Sequence, residues 1–340
     1  MQARTTQATT TPPAGTTVAT NAEVAARLVT VTGRRQESSR VVSLTVRATG
    51  GGLLPEWQPG AHVAVEIPDG SVRHYSLSGW PGQRNEYRIA VLHEPDGRGG
   101  STYLAENVAV GDTLTLRQTA NHFALTPASE YLFIAGGIGI TPLLPMIYAA
   151  EAQGKPWRLV YYGSSREHMA FLSELAVFGD RVEIVAKDEA PAASTRVEAL
   201  VESVAPSTQV YLCGPQRLLD AAREAMATQG TAGRLRFELF EAPDAAAEAV
   251  DDGSFEVHLQ TSDLTVTVGP EQSILEAVRE VGIDVLSDCE EGICGSCETA
   301  VVSGEVDHRD YVLTQQEKDE NRCLMICVSR AACPILTLAL

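Results

Sequence analysis

Between Glu23 and Leu125 the apolar positions come in short runs, at residues 41–46, 62–67, 87–92 and 113–116, divided by Gly, Pro and polar turn residues. Short β-rich runs at regular spacing predict an antiparallel barrel or sandwich. The pattern changes at Tyr131. Residues 131–135 are continuously apolar, a Gly-rich turn follows, and residues 142–152 carry a helical period. Further strand-like runs at 158–162, 182–186 and 209–213, with a helical stretch at 218–229, alternate in a way that predicts a parallel α/β sheet. Residues 255–259 and 264–268 alternate as a hairpin does, and 274–281 read as an amphipathic helix.

The stretches between these blocks give the boundaries. The first 20 residues hold eight threonines, two prolines and no carboxylate side chain, so residues 1–22 read as a disordered leader. Residues 242–253 (APDAAAEAVDDG) read as an acidic linker. Three units are therefore expected, at 23–127, 128–241 and 254–340, in keeping with a length of 340 residues.

Charge sharpens this division. The chain carries 44 acidic and 26 basic residues, a net −18, which argues against a sequence-independent nucleic-acid binder. From Glu241 onward there are 21 acids and 5 bases, or −16; everything before carries −2. No apolar run is long enough for a membrane span, and the N-terminal stretch lacks a secretory signal, so a cytoplasmic protein is expected. Six of the seven cysteines lie in the acidic last unit. An odd count in a long chain without a signal favours metal or catalysis over disulfides.

Those cysteines have a specific spacing. Cys289, Cys294 and Cys297 form C-x4-C-x2-C, and Cys327 follows after 29 residues. This is the plant-type spacing for a 2Fe-2S cluster, in which four thiolates hold two irons. Gly292 and Gly295 let the loop curl and aim N–H groups at the sulfurs. A zinc site is the competing reading, but zinc favours paired C-x2-C knuckles or His partners. Cys323, one helical turn before Cys327, competes for the fourth position. Cys333 reads as a buried apolar thiol.

Other motifs suit cofactors rather than a nucleophile. Gly136-Gly137-Ile138-Gly139-Ile140-Thr141-Pro142 follows a strand and opens a helix. Its glycines admit a pyrophosphate, Thr141 is placed to cap the helix, and Pro142 suits its first turn; a ligand-free tight turn is the alternative. Gly97-Arg98-Gly99-Gly100-Ser101-Thr102 opens a short helix expected at 102–106, where bare N–H groups would suit a phosphate or simply an N-terminal cap.

Taken together, the cysteine spacing, Arg73-His74-Tyr75-Ser76, the GGIGITP loop and Cys213-Gly214-Pro215 resemble the phthalate dioxygenase reductase and vanillate demethylase reductase family over about residues 23–340. The resemblance implies a ferredoxin-reductase-like antiparallel flavin barrel, a parallel α/β nicotinamide domain and a C-terminal β-grasp ferredoxin domain. It implies that Arg73, with Gly99, Gly100 and Ser101, neutralises an FMN phosphate. Tyr75 would pack on the flavin, with His74 beside it, Ser76 would approach N5, and the backbone of Ala90, Val91 and Leu92 would border the ring. Gly136, Gly137, Gly139 and Thr141 would take the NADH pyrophosphate. Cys213, with Gly214 and Pro215, would lie at the nicotinamide, and Ser164 and Arg166 near the adenosine ribose, where a 2′-phosphate is the alternative ligand. Phe240, or alternatively Phe237, would cover the flavin. Cys327 takes the fourth iron position by the family's spacing. The implied activity is that of an NADH-dependent oxidoreductase that passes electrons through FMN and a 2Fe-2S cluster to a terminal oxygenase of the Rieske non-haem iron type. The acidic unit would steer a basic partner. A non-catalytic redox sensor and a stand-alone NAD(P)H:acceptor reductase are the rival readings.

Overall fold

The structure, a computed structural model, describes residues 26–189, 197–240, 253–287 and 289–340. The leader expected at 1–22 and the linker residues 242–252 lie outside the described residues. Strands β1 (Arg27–Ser38), β2 (Val41–Ala48), β3 (His62–Glu66), β4 (Val72–Ser76), β5 (Tyr87–Leu92) and β6 (Thr113–Ala120) form an antiparallel sheet in the order β4-β3-β6-β1-β2-β5. The Ser78 amide donates to the Arg88 carbonyl at 2.8 Å, joining the two outer strands and closing the barrel. Alternate residues such as Val31, Leu44, Val65, Ile89 and Leu116 fill its interior. The helix expected at 102–106 starts at Gly100 and widens into a π turn, Tyr103–Asn107.

The second sheet is parallel throughout. Strands β7 (Tyr131–Gly136), β8 (Trp157–Gly163), β9 (Val182–Ala186), β10 (Gln209–Cys213) and β11 (Leu235–Glu238) lie in the order β11-β10-β7-β8-β9. Strand β7 is apolar without a break because both faces are covered. Phe133 and Ala135 pack under helix Ile140–Ala152; Leu132 and Ile134 pack under helix Gln216–Thr228. The winding reverses between β7 and β10, and in sheets of this kind the crevice for ligands opens at that switch point.

The last unit holds β12 (Phe255–Leu259), β13 (Leu264–Val268), β14 (Glu298–Ser303), β15 (Val306–Asp307), β16 (Cys323–Met325), β17 (Arg330–Ala331) and β18 (Ile335–Leu338), of which β15 and β17 pair as a small sheet of their own. Its main ladder runs β13-β12-β18-β14-β16, and helix Ile274–Glu280 shares its core. The hairpin pairs in register from Phe255↔Val268 to Leu259↔Leu264. A reciprocal capping box between Ser273 and Glu276 starts the helix.

A guanidinium largely withdrawn from water ties the barrel to the parallel sheet. Arg88 on β5 bonds both Glu174 oxygens at 2.9 Å and lies 5.0 Å over the Phe171 ring; Tyr148 also bonds Glu174. The pair is largely withdrawn from water, with side-chain exposures of 20% and 23%. Replacing Arg88 with Ala strands a carboxylate there and should cost about 2–3 kcal/mol. A lower urea midpoint for the two-domain transition is the expected result; an unchanged midpoint would show that the contact carries no stability.

Candidate functional site

The two loops at the switch point pack backbone against backbone. A Cβ on Gly139 would lie 2.2 Å from the Cys213 carbonyl oxygen, and one on Gly136 would lie 2.5 Å from Pro215 Cδ. Only bare backbone lets Gly136–Gly139 and Cys213-Gly214-Pro215 approach this closely. Gly137, at φ 56°, faces open space instead. Thr141 departs from the expectation that it caps the helix. The helix already begins at Ile140, so Thr141 sits buried in its first turn and its hydroxyl donates to the Ile138 carbonyl at 2.9 Å.

Cys213 is fully buried in the core under helix Ile140–Ala152. Burial first, and then the neighbouring Glu238, pushes its thiol well above the ordinary range, so it is a neutral wall rather than a thiolate. The β10–β11 register sets Glu238 directly beside it. Glu238 is half-buried with its Oε2 shut off from solvent, and that desolvation pushes its carboxyl up to about 8. Nothing among the described residues bonds its Oε2. Phe240 is 40% exposed and free of the core, whereas Phe237 lies 4.3 Å under the Arg223 guanidinium. At the end of β8, Ser164 bonds His168 at 2.9 Å, and Arg166 is held by both Glu189 oxygens at 2.8 and 3.0 Å.

On the barrel, Arg73 lies along the start of the Gly100 helix. A Cβ on Gly100 would come within 2.9 Å of Arg73 Cγ and Nε. Gly99 takes φ 83° and no side chain caps the helix, so a guanidinium and bare amides stand together, a combination whose chemistry suits an anion. Ser101 Oγ accepts from the Glu94 amide at 3.3 Å. Tyr75 packs on the barrel core, and burial raises its phenol. Ser76 is buried and pairs with His62 across the ladder. His74, between them in sequence, meets the His62 ring edge to face, with ring centroids 4.9 Å apart. On β5, Val91 points into the barrel, while Ala90 belongs to the core shared with the parallel sheet and Leu92 packs against it.

The four cysteines stand as two pairs. Cys297 Sγ lies 3.1 Å from Cys327 Sγ, and Cys289 bonds Cys294. That thiol bond, helped by the amides of Glu291, Ile293 and Cys294 and opposed by burial, brings Cys289 down to about 5. Cys327 is lowered by Cys297 and by the Gly292 amide. Among the described residues no three His, Cys, Asp or Glu side chains gather round one point as a single ion would need. Two thiol pairs in a nest of N–H donors fit a binuclear centre. Cys323 bonds Glu298, away from these pairs; burial and the acids around it push its thiol up to about 12. Cys333 corrects an expectation: it is half-buried, and its thiol meets the Ile335 carbonyl (3.1 Å) and the Glu305 amide (3.2 Å), because it follows the short β17 at the sheet margin.

All three units reach one small cavity, lined among others by His122, Phe123, Glu238, Leu239, Ile293 and Cys294. Glu238 and His122 are the residues the sequence reading passed over. The one available signal was a carboxylate within the apolar run Phe237-Glu238-Leu239-Phe240.

Glu238 gives a pH test. Its folded pKa lies above its unfolded value, so the folded state keeps a proton that the unfolded state loses. Its contribution to stability is present below about pH 4.5 and is lost as pH rises towards 8. Each pH unit in that window costs at most about 1.4 kcal/mol. Glu238→Gln should flatten the fall in urea midpoint between pH 5 and pH 8 and be the more stable form at pH 8; parallel pH profiles would refute the buried-acid assignment.

A family model described as a 2Fe-2S iron-sulfur cluster binding domain matches residues 257–332. The chain is 39% identical to vanillate O-demethylase oxidoreductase of Pseudomonas sp. (strain HR199), over 91% of this chain and 99% of that protein. The solved structure of phthalate dioxygenase reductase, described as modular for electron transfer from pyridine nucleotides to [2Fe-2S], covers 92% of this chain and 97% of its own at 35% identity and a TM-score of 0.66. An intact type IV self-sufficient cytochrome P450 monooxygenase matches at 41% identity and a TM-score of 0.86, over 93% of this chain but only 41% of that longer one. Among the described residues no helix is long and apolar enough to cross a membrane. The chain belongs to the phthalate dioxygenase reductase-type oxidoreductases, the flavin- and 2Fe-2S-carrying reductase components of oxygenase systems.

Proposed function

We propose that this chain draws electrons from NADH at the crevice of the parallel sheet and delivers them one at a time, through FMN and the 2Fe-2S cluster, to a terminal oxygenase of the Rieske non-haem iron type in the cytoplasm. When bound, FMN takes an electron pair as hydride and the cluster carries single electrons; the protein's own work is placement. The observation that carries the reading is the common cavity, where the strand end bearing Glu238 meets the barrel and Cys294.

Each residue has a role in that placement. Arg73 holds the FMN phosphate against the amides of Gly99, Gly100 and Ser101, and at Gly100 a Cβ would crowd the Arg73 side chain at 2.9 Å. Tyr75 walls the flavin, with His74 behind it; Ser76 presents its hydroxyl, and the backbone of Ala90, Val91 and Leu92 forms an edge. Gly136, Gly137, Gly139 and the turn at Thr141 receive the NADH pyrophosphate, with Gly137 on the open side. Ser164 and Arg166 receive the ribose, and the Arg166–Glu189 pair favours NADH over its 2′-phosphorylated form. Cys213, Gly214 and Pro215 border the nicotinamide, Cys213 as a neutral thiol. Exposed Phe240 is the side chain free to cover the flavin. Cys289, Cys294, Cys297 and Cys327 hold the two irons.

A cytochrome P450 is the second reading for the partner, favoured by the likeness to the reductase-sized part of the self-sufficient monooxygenase. The test is NADH-driven turnover with purified Rieske oxygenases and cytochrome P450s across a salt series. Turnover with a Rieske oxygenase that falls as salt rises supports the proposal, because −16 on the last unit should steer a basic partner. Turnover with cytochrome P450s alone would replace it. Cys294→Ser should abolish cytochrome c reduction and leave NADH-driven ferricyanide reduction within about twofold. Loss of both would mean that the modules do not act in series.

A further inference from the structure

The ferredoxin unit meets the barrel's trailing loop where its backbone is bare. Gly295 lies inside the cysteine loop at φ 79°, and a Cβ built there would meet His122 Nε2 at 2.3 Å and its Cδ2 and Cε1 at 2.7 Å. The imidazole therefore lies flat on the Gly295 backbone, one residue from Cys294. His122 is held firmly from its own side. Asn121 donates to the carbonyls of Gln58 and Pro59, and its Oδ1 accepts from the Phe123 amide at 3.0 Å. Behind His122 the His62 ring stacks at 6.2 Å, and His62 meets His74 edge to face at 4.9 Å. His74 belongs to the Arg73–Ser76 strand. Three imidazoles thus run from the flavin motif to the cysteine loop.

We propose that His122 is a positioning residue that seats the cysteine loop on the barrel and so fixes the separation between flavin and cluster. The inference rests on the electron-transfer reading above. Electron tunnelling falls exponentially with distance, so a loop that lifts off this seat slows the step between the modules and leaves hydride transfer untouched. A flat ring suffices for the seat. Desolvation, joined by His74 and opposed by Glu298 and Glu317, lowers His122 below its ordinary value, while one side of the residue stays exposed to solvent.

The experiment compares the full-length wild type, His122→Ala and His122→Phe, each assayed for iron and flavin. Hydrogen exchange follows the backbone of residues 292–298, and stopped-flow follows flavin reduction by NADH and then cluster reduction. In His122→Ala, exchange over 292–298 should quicken at least tenfold and cluster reduction should slow at least tenfold. Flavin reduction should stay within twofold. His122→Phe should restore protection and rate to within threefold. Unchanged exchange and cluster reduction in the alanine variant, or a phenylalanine variant as impaired as alanine, would overturn the proposal. Should the alanine variant lose a cofactor, His122→Gln carries the same comparison, and wild-type behaviour in it overturns the proposal too. If the wild type itself shows no NADH-driven bleaching, it is the functional reading that fails.

Discussion

Backbone meeting side chain or backbone, with no Cβ between, is the contact on which this molecule depends. Gly139 lies against the Cys213 carbonyl, Gly100 against Arg73 and Gly295 against His122. Each joins two stretches far apart in the sequence, and each brings them closer than a residue with a side chain would allow. Electron transfer between three bound groups needs short separations, and short separations between three folded units need surfaces that interlock closely. Gly295 supplies that fit between the last unit and the barrel, while Gly139 and Gly100 supply it inside the parallel-sheet and barrel units, each at the cost of chain entropy on folding.

The charge distribution is the second constraint. The barrel and the parallel sheet are nearly neutral, so Arg88 and Glu174 can meet between them without a large background field. The last unit is strongly acidic, yet its cysteine loop is rich in amide donors directed at sulfur. Those amides hold negative charge on the thiols locally, while the surrounding acids govern what approaches from outside. Arg330, which bonds the carbonyls of Gln272 and Gly269, shows how the few bases there serve the fold.

Much of this was legible in the sequence. Strands 87–92, 182–186, 209–213, 255–259 and 264–268 occur with the bounds the pattern gave, because each alternates or is wholly apolar between clear turn residues. The cysteine spacing pointed to the two thiol pairs. Strand Arg27–Ser38 was passed over because its second half, GRRQES, carries polar side chains and its register against β2 shifts twice. Thr141 misled because a Thr ahead of a Pro looks like a cap, while the helix begins one residue earlier. Cys333 misled because composition does not say where a sheet margin falls. His122 and Glu238 carry no local signal for the place they share; only the meeting of three distant segments, around residues 122, 238 and 294, reveals it.

The central claim is that pyridine nucleotide, flavin and cluster act in series within one chain. It is tested most directly by low-temperature electron paramagnetic resonance of anaerobic protein reduced with NADH alone, without mediators. The account predicts the signal of a reduced binuclear iron–sulfur centre, approaching one spin per chain. A cluster that dithionite reduces but NADH leaves silent would contradict it.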